Sequence, residues 1–151
     1  MKRRNTNVGM KLPLLITDNI TELLVKIIEF TQTRQKILTK NINDIHSSGF
    51  VPKDLAVDEF SDLLNNAIDE HIQNQRLVLC DTESIKFGVS GSFEVKPIAD
   101  KYARELLEEN RDEYLELQIN KLLENSLNQR VAAELLRQKT GNDLNFRVTL
   151  T

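Results

Sequence analysis

The residues best suited to metal binding or nucleophilic chemistry in this chain are one cysteine and two histidines, Cys80, His46 and His71. Sequences that bind zinc usually place cysteine or histidine ligands in close pairs, such as two cysteines separated by two residues. No such pair occurs here, and no local signature of a catalytic nucleophile surrounds Cys80. The sequence therefore predicts a buried, inert thiol at Cys80, and no catalytic residue, metal ligand or cofactor.

Two other segments resemble functional sites only in part. The segment Gly88 to Ser92 is rich in glycine, but it lacks the Gly-Lys-Ser/Thr ending with which a P-loop binds phosphate. Carboxylates cluster between Glu108 and Glu116, and a charge run of this kind usually lies on a solvated helix face. We therefore expect a protein that is not an enzyme.

Composition argues against two further classes of protein. The net charge of −3 and the pI near 5.5 give no basic surface of the kind that nucleic-acid binding needs. No run approaches the ~20 apolar residues that span a bilayer. The apolar stretch from Leu12 to Ile16 is interrupted by Pro13 and lacks the cleavage site of a secretory signal. We expect no nucleic-acid partner, no membrane span and no cleaved signal peptide.

The elements that would position any site are predicted to be mainly helical. Apolar residues recur every three or four positions in the first third of the chain, which is typical of a helix that packs along one side. Asn19 with Glu22 resembles a capping box, and Gly49 suits the left-handed conformation that ends a helix. This pattern predicts a disordered tail over 1–17 and a long helix over 18–49.

The central part is predicted to be mixed. A linker that contains Pro52 is followed by a short helix, whose apolar face runs from Phe60 to Ile72. Two runs of alternating polar and apolar residues then flank Ser90 and Gly91, and this arrangement predicts a β-hairpin. These elements occupy residues 50–96.

A second helical region is predicted over 97–140, with an interruption near Asn110 to Asp112 and a tail over 141–151. Beyond Leu127 the apolar residues point in several directions around the helix axis, and such a helix needs to be enclosed. The chain offers few other elements for this purpose. The sequence therefore predicts that other chains cover part of this helix.

Residues 38–50 read Leu-Thr-Lys-Asn-Ile-Asn-Asp-Ile-His-Ser-Ser-Gly-Phe. The segment resembles the N-terminal signature of bacterial flagellar rod and hook proteins, L-x-x-N-I-A-N-x-x-T-P-G-Y. The positions that carry the resemblance are Leu38, Asn41, Ile42, Gly49 and Phe50, the last in place of the tyrosine. Asp44 and the two serines depart from the family pattern. Independently of the resemblance, Asn41 and Asp44 are expected to bond backbone groups at the helix end.

A second match lies near the other end of the chain. Residues 121–127, Lys-Leu-Leu-Glu-Asn-Ser-Leu, followed by Leu135 and Leu136, are similar to the K-L-A-E-N-x-L … L-L helix of the same family. The residues expected to pack in this helix are Ile119, Leu122, Leu123, Asn125, Leu127, Leu135 and Leu136. The length of the chain fits the proximal rod proteins of the family, because distal rod and hook proteins carry larger inserted domains.

The resemblance implies a mainly α fold. The long N- and C-terminal helices would pack antiparallel in a coiled-coil-like inner rod domain, with a short middle helix and a small β-hairpin. It also implies a structural subunit of the proximal rod, which leaves the cell through the flagellar type III export channel and assembles in the periplasmic part of the basal body. Its partners would be copies of itself, other rod proteins, and the rod adaptor and export-gate proteins. The alternative is a soluble helical adaptor or chaperone-like module that binds other proteins.

Overall fold

The structure is a computed structural model that describes the backbone of residues 8–89 and 93–149 and the side chains of residues 19–89 and 93–141. In these ranges it has four helices: α1 (Val8–Asn43), α2 (Val57–Asn74), α3 (Lys101–Glu109) and α4 (Arg111–Thr149). Four short strands, β1 (Lys53–Asp54), β2 (Ile85–Phe87), β3 (Phe93–Val95) and β4 (Ile98–Ala99), form the antiparallel pairs β1–β4 and β2–β3. The prediction of a mainly helical chain with a small antiparallel sheet is confirmed.

The helices α1 and α4 lie side by side and run in opposite directions. Near the end of α1, Asn41 donates from Nδ2 to Oε1 of Gln118, over 3.0 Å. Further along α4, Asn125 donates from Nδ2 to the carbonyl oxygen of Thr31, over 2.7 Å. The pairing therefore moves backwards along α1 as it moves forwards along α4, which defines an antiparallel pair.

The helix α1 begins at Val8, well before the predicted start at residue 18. In the sequence, Pro13 favours a break in the helix, because proline lacks a backbone N–H and crowds the preceding turn. In the structure the helix passes through Pro13 near its own start, and the turns after it continue without interruption. Of the predicted tail over 1–17, residues 1–7 lie outside the described part of the chain.

The same helix ends at Asn43, before the predicted end at Gly49. A turn follows, in which the N–H of Ser47 donates to the carbonyl of Asp44 over 2.9 Å. Gly49 has a φ of 73°, so it takes the left-handed conformation for which glycine is the least strained residue. The prediction of a left-handed glycine at this reversal is confirmed.

The predicted interruption between the last two helices falls at Asn110, and α4 continues further than expected. The side chain of Asn110 accepts a hydrogen bond from the N–H of Glu113 over 3.2 Å, which caps the start of α4. The helix then runs past Gly141 to Thr149 rather than ending at residue 140. Glycine inside a helix costs roughly 1 kcal/mol relative to alanine, and this cost does not end α4.

The main apolar core lies between α1, α2 and the β2–β3 pair. It is built from Phe30, Leu55, Phe60, Leu63 and Ile85, all of them buried. The rings of Phe30 and Phe60 stack with centroids 4.0 Å apart, and Phe93 extends the stack from β3. A lone hairpin is marginal in water, so this contact with two helices explains its stability. The predicted turn residues Ser90 and Gly91 lie outside the described part.

A smaller cluster joins α3 to α4. Ala103 and Leu106 of α3 pack with Tyr114 of α4, and Ile45 reaches the same cluster from the turn after α1. Among the helices that the structure describes, none combines the length and the apolar character that crossing a bilayer demands.

Candidate functional site

Asn41 is the centre of a buried junction at the end of α1. Its Nδ2 donates to the carbonyl oxygen of Lys53 over 2.7 Å as well as to Gln118, and its Oδ1 accepts from the N–H of Lys53 over 3.1 Å. The reciprocal pair with Lys53 imitates the bonds that a neighbouring strand would make to β1. The sequence predicts that Asn41 bonds backbone groups at the helix end. In the structure its backbone partners lie across the turn, on β1.

Tyr114 completes this junction from α4. Its hydroxyl donates to the carbonyl oxygen of Asn41 over 2.6 Å, in the last turn of α1, where helix carbonyls lack partners within the helix. Burial, together with the nearby negative charge of Asp100, raises the pKa of Tyr114 to about 12. The phenol therefore stays protonated and keeps its donor role at neutral pH.

Asp54 of β1 binds both long helices through its carboxylate. Arg34 of α1 donates from Nε to Oδ1 over 2.8 Å and from Nη2 to Oδ2 over 3.0 Å. Lys121 of α4 donates from Nζ to Oδ2 of Asp54 over 3.0 Å and to Oδ2 of Asp100 over 2.7 Å. Asp100 also accepts from the N–H of Ala103 over 3.1 Å, at the start of α3. One charged network therefore connects α1, β1, α3 and α4.

The charges in this network stabilise one another. Burial by itself raises the pKa of Asp54, but the hydrogen bonds and positive charges of Arg34 and Lys121 outweigh it and hold that pKa below its ordinary value. Burial likewise lowers the pKa of Lys121, yet Asp100 and Asp54 raise it above the ordinary value. Two cations face two carboxylates, so the network is balanced in charge at neutral pH.

A second buried junction lies further along the helix pair, where Asn125 meets the carbonyl of Thr31. Together with the first junction and the Lys121–Asp54 pair it shows that α4 meets α1 and β1 through polar and small side chains. These residues recur at intervals of three, four or seven: Tyr114, Gln118, Lys121, Asn125 and Ala132. We call this set the polar seam. Paired polar groups fix the register of two helices, because a shift along the axis would leave them buried without partners.

The residues predicted around the turn lie close together in sequence and differ in burial. Leu38 and Asn41 are buried, Ile42 and Phe50 are half-buried, and Gly49 is exposed. Leu38 is fully buried, whereas Gly49 marks the reversal of the chain. The predicted turn set therefore covers both the inside of the junction and its outer bend.

Most of the residues predicted to pack on the C-terminal helix are exposed or half-buried. Asn125 is buried, and Leu122 and Leu136 are half-buried. The others are exposed: Ile119, Leu123, Leu127 and Leu135. Contact with α1 is made instead by the polar seam, of which the resemblance to rod proteins includes only Lys121 and Asn125. The other residues of the polar seam could have been found from the spacing of polar residues by threes and fours along α4.

The exposed apolar residues of α4 form a continuous row. Ile119, Leu123, Leu127, Val131 and Leu135 recur at every fourth position, and they are between 46% and 65% exposed. We call this row the α4 stripe. Buried Gln118, Asn125 and Ala132 lie on another side of the same helix. Positions four apart turn by about 40° around a helix axis. Ile119 and Leu123 therefore point away from the polar seam, whereas Leu127, Val131 and Leu135 turn towards the groove that they line with residues of α1 and α2. An exposed apolar row of this kind marks a surface for interaction.

One flank of the α4 stripe borders a groove between α1, α2 and α4. The groove has a volume of about 430 Å³, and its apolar lining includes Leu24, Ile27, Val57, Leu64, Val131 and Leu135. The stripe and the groove therefore form one apolar surface that extends from the outer face of α4 towards α2.

The cysteine and the histidines lie in unrelated surroundings. Cys80 is exposed in a segment without regular structure, so the prediction of a buried thiol is wrong. His71 is buried on α2, with Nδ1 3.4 Å from Nδ2 of Asn19, whereas exposed His46 lies 3.4 Å from Nη1 of Arg111. Across the ranges that the structure describes, no three His, Cys, Asp or Glu side chains are grouped so as to hold a metal ion.

Comparisons with known proteins found no family model, no curated protein and no solved structure that matches the chain. Function is therefore inferred from the polar seam, the α4 stripe and the resemblance of the two terminal segments to rod proteins.

Proposed function

We propose that this chain is a structural subunit of the proximal rod of the bacterial flagellar basal body. Its terminal helices form a coiled-coil-like inner rod domain and pack against neighbouring subunits in a helical tube. It passes through the type III export channel and assembles in the periplasm. Its neighbours are its own copies, other rod proteins, and the adaptor and export-gate proteins. It acts as a building element and not as an enzyme.

The observation that carries the proposal is the convergence of the two rod-like segments. Asn41 belongs to the segment near the N-terminus, and Lys121 and Asn125 belong to the segment near the C-terminus. All three side chains make the hydrogen bonds that hold α1, β1 and α4 together. Two distant segments that resemble the same family therefore supply the two sides of one interface, as a paired-helix subunit requires.

The α4 stripe supports the same proposal. A polymerising subunit needs a surface that stays open to the next copy after the chain itself has folded. In the structure the polar seam joins α4 to α1, and the apolar residues of the α4 stripe remain on the outside. Repeated contacts between unlike surfaces that do not close into a ring produce an open helical assembly.

The proposal is tested by genetic complementation in the flagellated bacterium that carries the gene. Deletion should abolish both rods and motility, and the wild-type gene should restore them. A Leu123→Glu/Leu127→Glu variant should not restore motility, because two carboxylates interrupt the α4 stripe. The matched control, Ser126→Glu/Ala133→Glu, adds the same charge at exposed positions on another side of α4 and should restore swimming. Normal rods and motility in the deletion strain would overturn the proposal.

A soluble adaptor or chaperone-like module is the second candidate, and the groove beside α4 is the observation that favours it. An apolar groove between helices suits an amphipathic helix from a partner. Fractionation of cells distinguishes the two functions. A rod subunit co-purifies with basal bodies, whereas an adaptor remains in a cytosolic pool that is independent of them.

A further inference from the structure

The groove beside α4 has the geometry of a helical bundle from which one helix is missing. Its floor is α1, and its two walls are α2 and α4. The rings of Phe30 and Phe60 stack, and Nδ2 of Asn19 lies 3.4 Å from Nδ1 of His71, so α2 runs antiparallel to α1, as α4 does. A further helix placed between the two walls would contact all three helices at once.

The apolar wall on α2 is longer than the part that encloses the groove. Val57 and Leu64 line the groove, and Ile68 and Ile72 continue the same side of the helix at intervals of four. Ile68 is 39% exposed and Ile72 is 71% exposed. From Val57 to Ile72 the wall extends over about 22 Å, which is the length of about four turns of a partner helix. The opposite wall is supplied by apolar residues of α4: Leu127, Val131 and Leu135.

The wall on α2 is negatively charged along its outer rim. The helix carries five carboxylates and no lysine or arginine, so no cation of its own offsets them. Asp58 lies three residues before Ser61, which lines the groove, and Asp69 lies three residues before Ile72. Residues three apart are neighbours on a helix surface. Both carboxylates are exposed, so they are available to a partner beside the apolar wall.

The charges of α4 do not reverse this sign. Glu124 is exposed and lies one turn before a residue that lines the groove. Lys139 is half-buried and lies beyond the far end of the groove, while Arg130 and Arg137 are about 100° or more around the helix axis from its α4 wall. Arg34 lines the floor, but its guanidinium is bound by the carboxylate of β1. The rim is therefore mainly acidic.

We infer that this groove binds one basic amphipathic helix of a partner protein. The apolar side of that helix packs between α2 and α4, and lysine or arginine residues on its flanks face Asp58, Asp69 and Glu124. Burial of the apolar walls supplies the attraction, and the acidic rim selects a basic helix over an acidic one. The inference concerns the groove alone, and it holds for either of the two functions proposed above.

A pair of synthetic peptides tests the chemistry of the partner. The probe is a labelled amphipathic helix of leucine and lysine, about four to five turns long, and the matched peptide has glutamate in place of every lysine. In fluorescence anisotropy with the full chain at low salt, the lysine peptide should bind with a Kd below about 100 µM. The glutamate peptide should bind at least about tenfold more weakly, and added salt should narrow this difference.

Uncharged substitutions test whether the apolar walls make the contact. Ile68→Gln/Val131→Gln should weaken binding of the lysine peptide by roughly tenfold, because one apolar side chain is lost from each wall. Both residues are exposed, so circular dichroism should show unchanged helix content. The matched control, Ile98→Gln/Ile119→Gln, changes two exposed isoleucines outside the groove and should bind like the wild type.

Charge reversals test the acidic rim. Asp69→Lys/Glu124→Lys should weaken binding of the lysine peptide by roughly tenfold at low salt and strengthen binding of the glutamate peptide, because the rim then repels the first and attracts the second. The matched control, Glu105→Lys/Glu116→Lys, makes the same change in net charge at exposed positions nearer the start of α4. It should retain the preference for the lysine peptide.

A chain that binds neither peptide, or that binds both equally at low salt, would overturn the inference. So would groove variants that bind no more weakly than their matched controls. None of these measurements uses motility or basal bodies, on which the rod proposal is judged. Loss of the rod proposal would leave peptide binding unchanged, so the two failures are distinguishable.

Discussion

Replacing Asn41 by alanine tests whether the buried junction holds the helix pair in place. The change removes the two bonds to the backbone of Lys53 and the bond to Gln118, and it leaves those three partner atoms without the Asn41 side chain. Asn41 is 2% exposed, so water cannot readily replace the lost contacts in an unrelaxed structure. The loss should therefore exceed that of an exposed side chain.

The size of the effect follows from the number of bonds. A neutral hydrogen bond contributes about 0.5–1.5 kcal/mol to stability, and a buried group left without a partner costs more. Three lost bonds, partly offset by relaxation of the turn after α1, give an expected loss of roughly 2–4 kcal/mol. That is a large share of the stability of a domain of this size, which is typically about 5–15 kcal/mol.

Urea unfolding followed by circular dichroism at constant pH measures this loss. The matched control is Asn43→Ala, which removes an exposed asparagine from the same last turn of α1 and should change the free energy of unfolding by less than about 0.5 kcal/mol. Hydrogen exchange at the amide of Lys53 provides a local readout. That amide should exchange faster in Asn41→Ala and remain unchanged in Asn43→Ala.

Asn41→Asp sharpens the test. The carboxylate keeps an acceptor for the N–H of Lys53 but loses both donations and brings a charge into a buried site. This variant should be less stable than Asn41→Ala at neutral pH and should recover part of its stability as the pH falls and the carboxyl is protonated. Equal stability of Asn41→Ala and Asn43→Ala, or no recovery of Asn41→Asp in acid, would refute the role assigned to this junction.

Three further outcomes follow from the same region, and a fourth from the turn beside it. The free energy of unfolding should fall as the pH drops below the ordinary Asp value of 3.8, because the pKa of Asp54 is lowered in the folded chain. The Asp54→Asn variant should show a smaller decrease of stability over the same acid range. The free energy of unfolding should also fall on the alkaline side above pH 10. Tyr114, whose pKa is about 12, and Lys121, whose pKa is also raised, hold their protons more tightly in the folded chain than in the unfolded one, so their deprotonation favours unfolding. Constant stability from pH 9 to 12 would contradict this. Tyr114→Phe should cost about 1 kcal/mol in urea unfolding, since it removes the hydroxyl bond to Asn41 and keeps the ring. Gly49→Ala should cost about 1–2 kcal/mol through its φ of 73° alone, because no atom lies within 4 Å of an added Cβ, and a neutral result would contradict the left-handed turn.

The helices and the hairpin were predictable because their patterns are local. Spacing by threes and fours marks a helix wherever its partner lies, and alternation marks a strand pair in the same way. The ends of the helices were less predictable. Pro13 and Gly141 are local breaking signals, yet α1 and α4 pass through them because each penalty falls on one turn of a long helix.

The interface between the long helices was predicted only in part. Thr31 and Arg34 interrupt the apolar pattern of α1, yet they are where Asn125 and Asp54 bind. Local spacing cannot reveal a partner that lies far away along the chain. The leucines of α4 led to the opposite error, because they were predicted to pack and most of them are exposed. Hydrophobicity shows that a side chain favours leaving water, but it does not show whether the surface that covers it belongs to the same chain.

The contact of Asn41 with β1 also bears on how the chain avoids wrong associations. A strand at the border of a sheet displays backbone donors and acceptors to which a foreign strand can attach. At Lys53 both of these groups are already occupied by one side-chain amide from α1, and β4 pairs with the opposite side of the strand. The chain thus keeps an apolar helix surface exposed on α4 while the backbone groups of Lys53 are closed to a foreign strand.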